Sequence, residues 1–509
     1  MSITAGAWVR RCGRFVCVAA LGVGYARAAT INVGPGDSYS KIEGAQPGDE
    51  VVIAPGTYSF RVYLTKQATP TNPIIIRAQD PANRPVWDFG STLVENAPGS
   101  YTAGDNGRGG WQFSGAKNYR VSGIVFRNCR TASMNSAGIR YFNGTTNLYL
   151  KDCLFALNDN GLTGGSQESQ ATVEYCEFAT NGNASASSPT HNMYIYGGTF
   201  LLRYCYVHDS LQAQNFHIRA RVATLEYNWI ARAKSYEGDL MTDGDFTGTG
   251  PFSQAMTLRG NVFVQAAAPD NHSQEFVLFN DAGATNLTLT ARVLYNTFVG
   301  NGGSTAFVHL ANTDGTQMSA EESDNIVYGT TRPMLVDNSG AGAVSGVNNW
   351  LQSNATTNSL TASVQSAAPG FRNAAAEDYT LAAGSACIGA ANASVYGLPG
   401  KEYYQNETNK CRWRPRAAAR DIGAFESTST SAPVGAYDAY PRPGLKISGT
   451  RVNLMLVWPL FASDFQLQQS TAMPASNWVP AGFPLSTNAV QVSAAGPASG
   501  VEGFFRLMR

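Results

Sequence analysis

The sequence predicts an all-β fold, a right-handed parallel β-helix followed by a small C-terminal β-sandwich, and three observations carry that expectation. The first is a phrase written seven times between residues 147 and 327: NLYLKDCLF, ATVEYCEF, TFLLRYCYV, ATLEYNWI, AMTLRGNVF, ARVLYNTF and AEESDNIV. Aligned, it puts Cys153, Cys176, Cys205, Asn228, Asn261, Asn296 and Asn325 at one place, 23 to 35 residues apart. A fixed phrase at that period marks stacked units, each too small to bury its own apolar side. The second observation is alternation. Leu150, Val173, Leu202, Leu225, Leu258 and Val293 stand three positions before the shared place, and Phe155, Phe178, Val207, Ile230, Phe263, Phe298 and Val327 stand two after it. Short alternating runs of β-branched and aromatic residues, bounded by Gly, Asn, Asp and Ser, read as strands and turns. The third is composition: 52 glycines in 509 residues and only 14% charged residues suit many short strands and tight turns.

The elements follow in order. Residues 1–28 read as an export signal: Arg10, Arg11 and Arg14 precede FVCVAALGVGYA, and Ala26-Arg27-Ala28 fits the small-x-small cleavage rule. Cleavage after Ala28 predicts a secreted or periplasmic protein. It removes Cys12 and Cys17 and leaves six cysteines in an oxidising compartment. No other stretch approaches the ~18 continuous apolar residues of a membrane span.

Residues 29–115 form entry coils, with AQPGDEVVIAPGTYSF and NPIIIRAQD as buried strands punctuated by Pro-Gly turns. Residues 116–345 form the regular coils, which parallel pairing spaces about 4.8 Å apart. A stacked Asn satisfies backbone groups of the coils above and below, and a buried Cys fills the same place as a small apolar group. Residues 346–426 close the stack, and there Cys387 and Cys411 are the pair expected to bridge, since both lie in its loop-rich end. Residues 427–444, STSTSAPVGAYDAYPRPG in outline, are a linker. Residues 445–509 alternate around Trp458, Trp478, Phe504 and Phe505 as a small sandwich.

The PGDEVVIAPGTY opening, the coil phrases and the ARDIGAFE ending resemble secreted bacterial right-handed β-helix proteins of the pectate-lyase-like kind. That group includes polysaccharide lyase family six, the alginate lyases and chondroitinase B. The likeness covers roughly residues 30–426. It implies the fold, and an enzyme that cleaves a uronic-acid polysaccharide in a groove on one sheet. The C-terminal module, ending in GFFRLMR, resembles sandwich modules of secreted bacterial enzymes. Counting back from the ladder, Arg219 stands nine residues before Asn228, where the family carries a catalytic lysine. The family's calcium-binding carboxylates have no match in LQAQNFH, which offers Gln212 and Gln214, and its arginine on the next coil has none in GDLMTDGD.

The groove strands are expected at 136–142, 160–165, 191–197, 215–221, 238–245, 275–281 and 305–311. Alternation then turns Asn192, Tyr194 and Tyr196 outward, then His217, Arg219 and Arg221, then Asp239 and Asp243. A one-residue slip would reverse every face. β-Elimination needs a carboxylate neutralised, a base for the α-proton and an acid for the departing oxygen. Arg219 or Arg221 fits the first role, His217 the second and Tyr194 the third. His191, Asn192, Tyr196, Arg221, Asp239, Asp243 and Arg140 are candidate substrate contacts, with Glu275 a further extension of the groove. His309 has no defined facing, and His208 is expected outside the groove.

Other chemistries fit the same residues. Asp239, Asp243 and Asp245 are the carboxylates a polygalacturonase-like hydrolase would use. A non-catalytic carbohydrate-binding or adhesion β-helix would use only the arginines and tyrosines. No cofactor is expected. Calcium takes oxygen ligands, but TDGD lacks the spacing of a known loop, and no metal ligand is assigned. A formal net charge of zero excludes a general attraction to nucleic acid, so an acidic polysaccharide must be held locally by a monomer.

Overall fold

A computed structural model describes residues 28–509 except 91–107, 242–251, 268–273, 280–286, 303–305, 312–316, 337–342, 358, 393–396, 405–409, 418, 442, 451–452, 472–476, 489–490, 498–503 and 509. The export signal, Asp243 and Asp245 therefore lie outside the described residues, as does the side chain of Glu275. Among the described residues three long sheets, of thirteen, twelve and ten strands, run the length of the stack. Every strand in them pairs with the equivalent strand of the coil before and after, in parallel, so the chain is a parallel β-helix. Each regular coil crosses the thirteen-stranded sheet, then the twelve-stranded sheet, then the ten-stranded sheet. One coil, for instance, runs Thr199–Arg203, Tyr206–His208 and Phe216–Arg219.

The repeated phrase is the corner between the first two sheets. Immediately before the ladder residue stands one in the left-handed region: Asp152, Tyr175, Tyr204, Tyr227, Gly260, Tyr295 or Asp324, with φ between 52° and 63°. For a bulky L-residue that conformation costs roughly 1–2 kcal/mol. The next residue offsets the cost. The backbone N–H of Asn228 donates to Asn261 Oδ1 at 3.1 Å, and its Nδ2 donates to the same oxygen at 2.9 Å. Asn261, Asn296 and Asn325 repeat the pattern at 2.9–3.0 Å, which carries the ladder one coil past the phrase, to Asn349. At the Cys end, sulfur takes the place of the amide oxygen: the Cys153 N–H meets Cys176 Sγ at 3.3 Å and that of Cys176 meets Cys205 Sγ at 3.4 Å. Two positions on, Phe126, Phe155 and Phe178 stack with centroids 5.2 and 4.6 Å apart in one continuous core.

A second ladder, which the phrase does not reveal, turns the chain from the twelve-stranded into the ten-stranded sheet. Cys129 N–H donates to Asn158 Oδ1 at 2.9 Å, Asn158 N–H to Asn181 at 3.1 Å, and Asn181 Nδ2 to Asn192 at 2.8 Å. Asn192 Nδ2 donates to Asn215 Oδ1 at 2.6 Å, and Asn215 Nδ2 donates to Glu237, which ends the run. Asn192 is thus fully buried at a bend and does not face the groove. Alternation fails there because the residue before Met193 belongs to the corner, not to the strand.

The closing segment carries two antiparallel pairs, Phe371–Asn373 with Asp378–Leu381 and Lys401–Tyr404 with Arg412–Pro415. Cys387 and Cys411 are buried free thiols in separate apolar clusters and do not bridge. Beyond residue 445 stand two small antiparallel sheets, of four and three strands among the described residues. Leu456, Trp458 and Val492 there share one cluster with Tyr295, Ile326 and Trp350 of the coils.

Candidate active site

The ten-stranded sheet contains all seven strands expected to line the groove: Ala137–Phe142, Asn160–Gly164, Met193–Tyr196, Phe216–Arg219, Gly238–Met241, Gln274–Phe279 and Ala306–Ala311. Met193, Ile195, Phe216, Ile218 and Leu240 are fully buried, which fixes the register and leaves the alternate positions facing out. One outward row then runs Arg140, Thr163, Tyr194, His217, Asp239, each the Cα partner of the next. Beside it, Tyr196 pairs with Arg219. Gly238 makes the approach possible. A Cβ there would fall 2.0 Å from the Phe216 ring, so only glycine lets this strand close on its neighbour and seat Asp239 against His217.

The centre of the row is tightly packed. His217 Nδ1 lies 3.0 Å from Asp239 Oδ2, and only 13% of the His217 side chain is exposed. Its ring rests between Tyr194, at 4.6 Å, and His191, at 5.0 Å. Arg219 Nη1 donates to the Tyr194 hydroxyl at 3.5 Å, and Tyr196 lies 6.0 Å from Tyr194. Burial pushes the Asp239 carboxyl up to about 7, eased by the Tyr236 hydroxyl and by His191. Asp239 Oδ1 is buried with no hydrogen-bond partner among the described residues. Burial, then the neighbouring His217, push His191 down to about 3, so this imidazole is neutral. Its backbone N–H donates to Asn160 Oδ1 at 2.9 Å.

The structure therefore brings together His217, Arg219, Tyr194, Tyr196, His191 and Asp239. Arg140 shares their row but stands three strands from His217, about 14 Å at the inter-strand spacing, with Nη1 donating to the Asn135 carbonyl at 3.1 Å. Arg221 is separate. The strand stops at Arg219, and Arg221 is an exposed residue of the following bend, where its carbonyl accepts from Ala255 N–H at 2.9 Å. His309 occupies the same row two strands beyond Asp239. His208 lies on the twelve-stranded sheet, paired with Asp209 at 2.5 Å and Glu177 at 3.1 Å. Sequence reasoning missed Tyr236, whose hydroxyl meets Asp239 and which sits in the irregular segment before Gly238, where periodicity carries no signal. Among the described residues no three of His, Cys, Asp and Glu gather closely enough to hold a metal ion. No described helix is long and apolar enough to cross a membrane.

No protein-family model matches the chain, and no curated protein matches its sequence. Among solved structures it is similar to pectate lyase Pel9A, at 16% identity and a TM-score of 0.48, over 79% of this chain and 97% of that one. It is also similar to an alginate lyase from Paenibacillus sp. str. FPU-7, at 12% identity and 0.38, over 62% and 98% of the two chains. A third is the PL6 family alginate lyase AlyGC, at 11% identity and 0.38, over 66% and 53%. At these identities the likeness is one of fold, and the three parallel sheets establish that fold on their own.

Proposed function

We propose that the chain is a secreted polysaccharide-active enzyme that cleaves an acidic, uronic-acid-containing polymer by β-elimination. The observation that carries this reading is the buried Asp239 carboxylate 3.0 Å from His217 Nδ1 on an outward-facing row. An Asp that accepts from Nδ1–H holds the imidazole in the tautomer whose Nε2 carries no proton. Arg219 stands beside Tyr194, within reach of a sugar bound over the two.

In the reaction, Arg219 neutralises the uronate carboxylate and acidifies the adjacent carbon-bound proton. His217 Nε2 takes that proton, and the released electron pair forms the carbon–carbon double bond as the bond to the glycosidic oxygen breaks. The Tyr194 hydroxyl gives its proton to the leaving oxygen. Asp239 stabilises the imidazolium so formed, and proton exchange between His217 and Tyr194 restores the starting state. Tyr196, beside the row, and Arg140, three strands along it, extend the contact, about one coil per sugar. The chemistry asks for no cofactor, and the single polypeptide supplies every group in it.

Ultraviolet absorbance of the unsaturated product, screened on alginate, pectate and chondroitin, tests the reading. The wild type should generate the signal on at least one polymer, and His217→Ala should lose turnover while retaining affinity. New reducing ends without absorbance would replace elimination by hydrolysis. Binding without any cleavage, lost in Arg219→Ala, would make the protein a lectin-like β-helix.

A further inference from the structure

A second cleft opens on another wall of the molecule, between the twelve-stranded sheet and the closing segment. Its volume is about 750 Å³, inside the ~300–1,000 Å³ range of small-molecule sites. Trp229 comes from the coil strand Trp229–Ala231, Tyr379 from the first closing hairpin, and Tyr403 and Tyr404 from the second. We propose that this cleft is a binding site for a neutral saccharide, distinct from the cleavage row and independent of the reaction assigned to it.

Three features lead there. The first is aromatic lining beside polar groups: Tyr379, Tyr403 and Phe425 are buried in the wall of the cavity, and half-buried Tyr404 is the ring placed to meet the C–H face of a pyranose. Arg414 lies over the Tyr404 ring at 5.5 Å and braces it. The second is charge balance. Arg232 holds Glu377 at 3.0 Å and Glu402 holds Arg414, so these charges cancel in pairs. Arg372, whose Nε donates to the Leu381 carbonyl at 3.4 Å, and Asp378, whose Oδ1 accepts from Thr380 N–H at 3.2 Å, are one of each sign and leave no net field to attract a polyanion.

The third is an unfilled valence. Trp229 is 1% exposed, and its indole N–H has no hydrogen-bond acceptor among the described residues. Buried donors are nearly always satisfied, and this unsatisfied one belongs to a residue in the wall of the cleft. The neighbouring cleft around Arg84 and Lys410 lacks this character. It sets six charged side chains beside only two aromatic ones, Tyr175 and Tyr437.

The test is calorimetric titration of the full chain with cellohexaose, xylohexaose, mannohexaose and maltohexaose. At least one should bind saturably. Tyr404→Ala and Asp378→Asn should each weaken that binding by about tenfold or more. Tyr404→Phe, which keeps the ring, should retain it, and His217→Ala and Arg219→Ala should leave it unchanged. The inference is overturned if no hexaose binds, if binding survives both Tyr404→Ala and Asp378→Asn, or if it disappears with His217→Ala. Matching thermal melts for Tyr404→Ala and Tyr404→Phe keep a folding defect from imitating the loss.

Discussion

Asp239 and Glu237 sit two residues apart, and burial raises both carboxyls into the neutral range, Asp239 to about 7 and Glu237 to about 8. The consequences differ because the partners differ. Asp239 orients His217, so its ionisation should appear in catalysis: kcat/KM on the cleaved polymer should rise as pH rises through about 7 and then level off. Asp239→Asn should remove that limb and slow turnover, on the order of 10²–10⁴-fold, as pH–rate profiles of the two proteins would show. Glu237 ends an amide ladder, accepting from Asn215 Nδ2 on one oxygen and from Ala233 N–H at 2.9 Å on the other. Its folded pKa lies above the ordinary value of 4.5. The folded chain therefore keeps a proton that the unfolded chain releases, and stability falls as pH rises from about 4.5 to about 8. Urea midpoints between about pH 5 and pH 9 should decline for the wild type, and more shallowly for Glu237→Gln. His208 adds a slope of the same sign. Burial opposes its charge, but Asp209 and Glu177 outweigh it and hold the ring up, and because His208 is present in both proteins the difference reports Glu237 alone.

At the scale of elements, the corner ladder and the groove strands were legible in the sequence for one reason: each repeats at a place that stacking cannot shift. The Asn and Cys rungs keep company with apolar residues on both sides, and alternation in MYIY and FHIR fixes a facing that the buried Met193, Ile195, Phe216 and Ile218 enforce. The second ladder was not legible. Its rungs are 23 residues apart from Asn158 to Asn181 but only 11 from Asn181 to Asn192, because a loop intervenes within one coil. That broken interval is why Asn192 reads as a groove residue and is a corner residue. Arg221 misleads for a related reason: two more residues of alternation follow Arg219 in sequence, but the chain is already bending toward the strand Val222–Glu226. Rungs should also differ in weight. Asn261 accepts from Asn228 twice and donates to Leu225 and Asn296. Asn261→Ala strands several buried groups, at ~1–3 kcal/mol each, and should lower stability by at least about 3 kcal/mol. Cys176→Ala removes one sulfur, which accepts from the Cys153 N–H at 3.3 Å and donates weakly to the Glu174 carbonyl at 3.4 Å, and should cost closer to ~1 kcal/mol. Urea denaturation of the two variants checks the ranking.

For the molecule as a whole, the C-terminal sheets bear on the stability of the stack. Lys401 is almost fully buried between coils and C-terminal segment, with Nζ 3.2 Å from Asp464 and close to the Tyr204, Trp413 and Tyr440 rings. Burial holds this ammonium down at about 8. A chain ending at residue 444 would lose Asp464 and uncover the apolar cluster around Tyr295, Ile326 and Trp350. Breaking a buried pair by removing one partner costs roughly 3–5 kcal/mol. The truncated protein should therefore melt well below the full chain and bind a hydrophobic dye, a result that differential scanning fluorimetry would report directly. The sequence placed a linker at 427–444, and composition alone does not register that residues on either side of it meet again in space.

The Asn ladder has a direction. Asn228 donates to Asn261, Asn261 to Asn296, Asn296 to Asn325 and Asn325 to Asn349, never the reverse. A rung in the middle is therefore clamped from both sides, and its protons reach solvent only after the stack has peeled open from one pole. In deuterated buffer the amides should thus label in spatial order, from the two poles toward Cys205, which follows the seventh of the thirteen strands, giving the molecule an unzipping sequence that can be timed coil by coil.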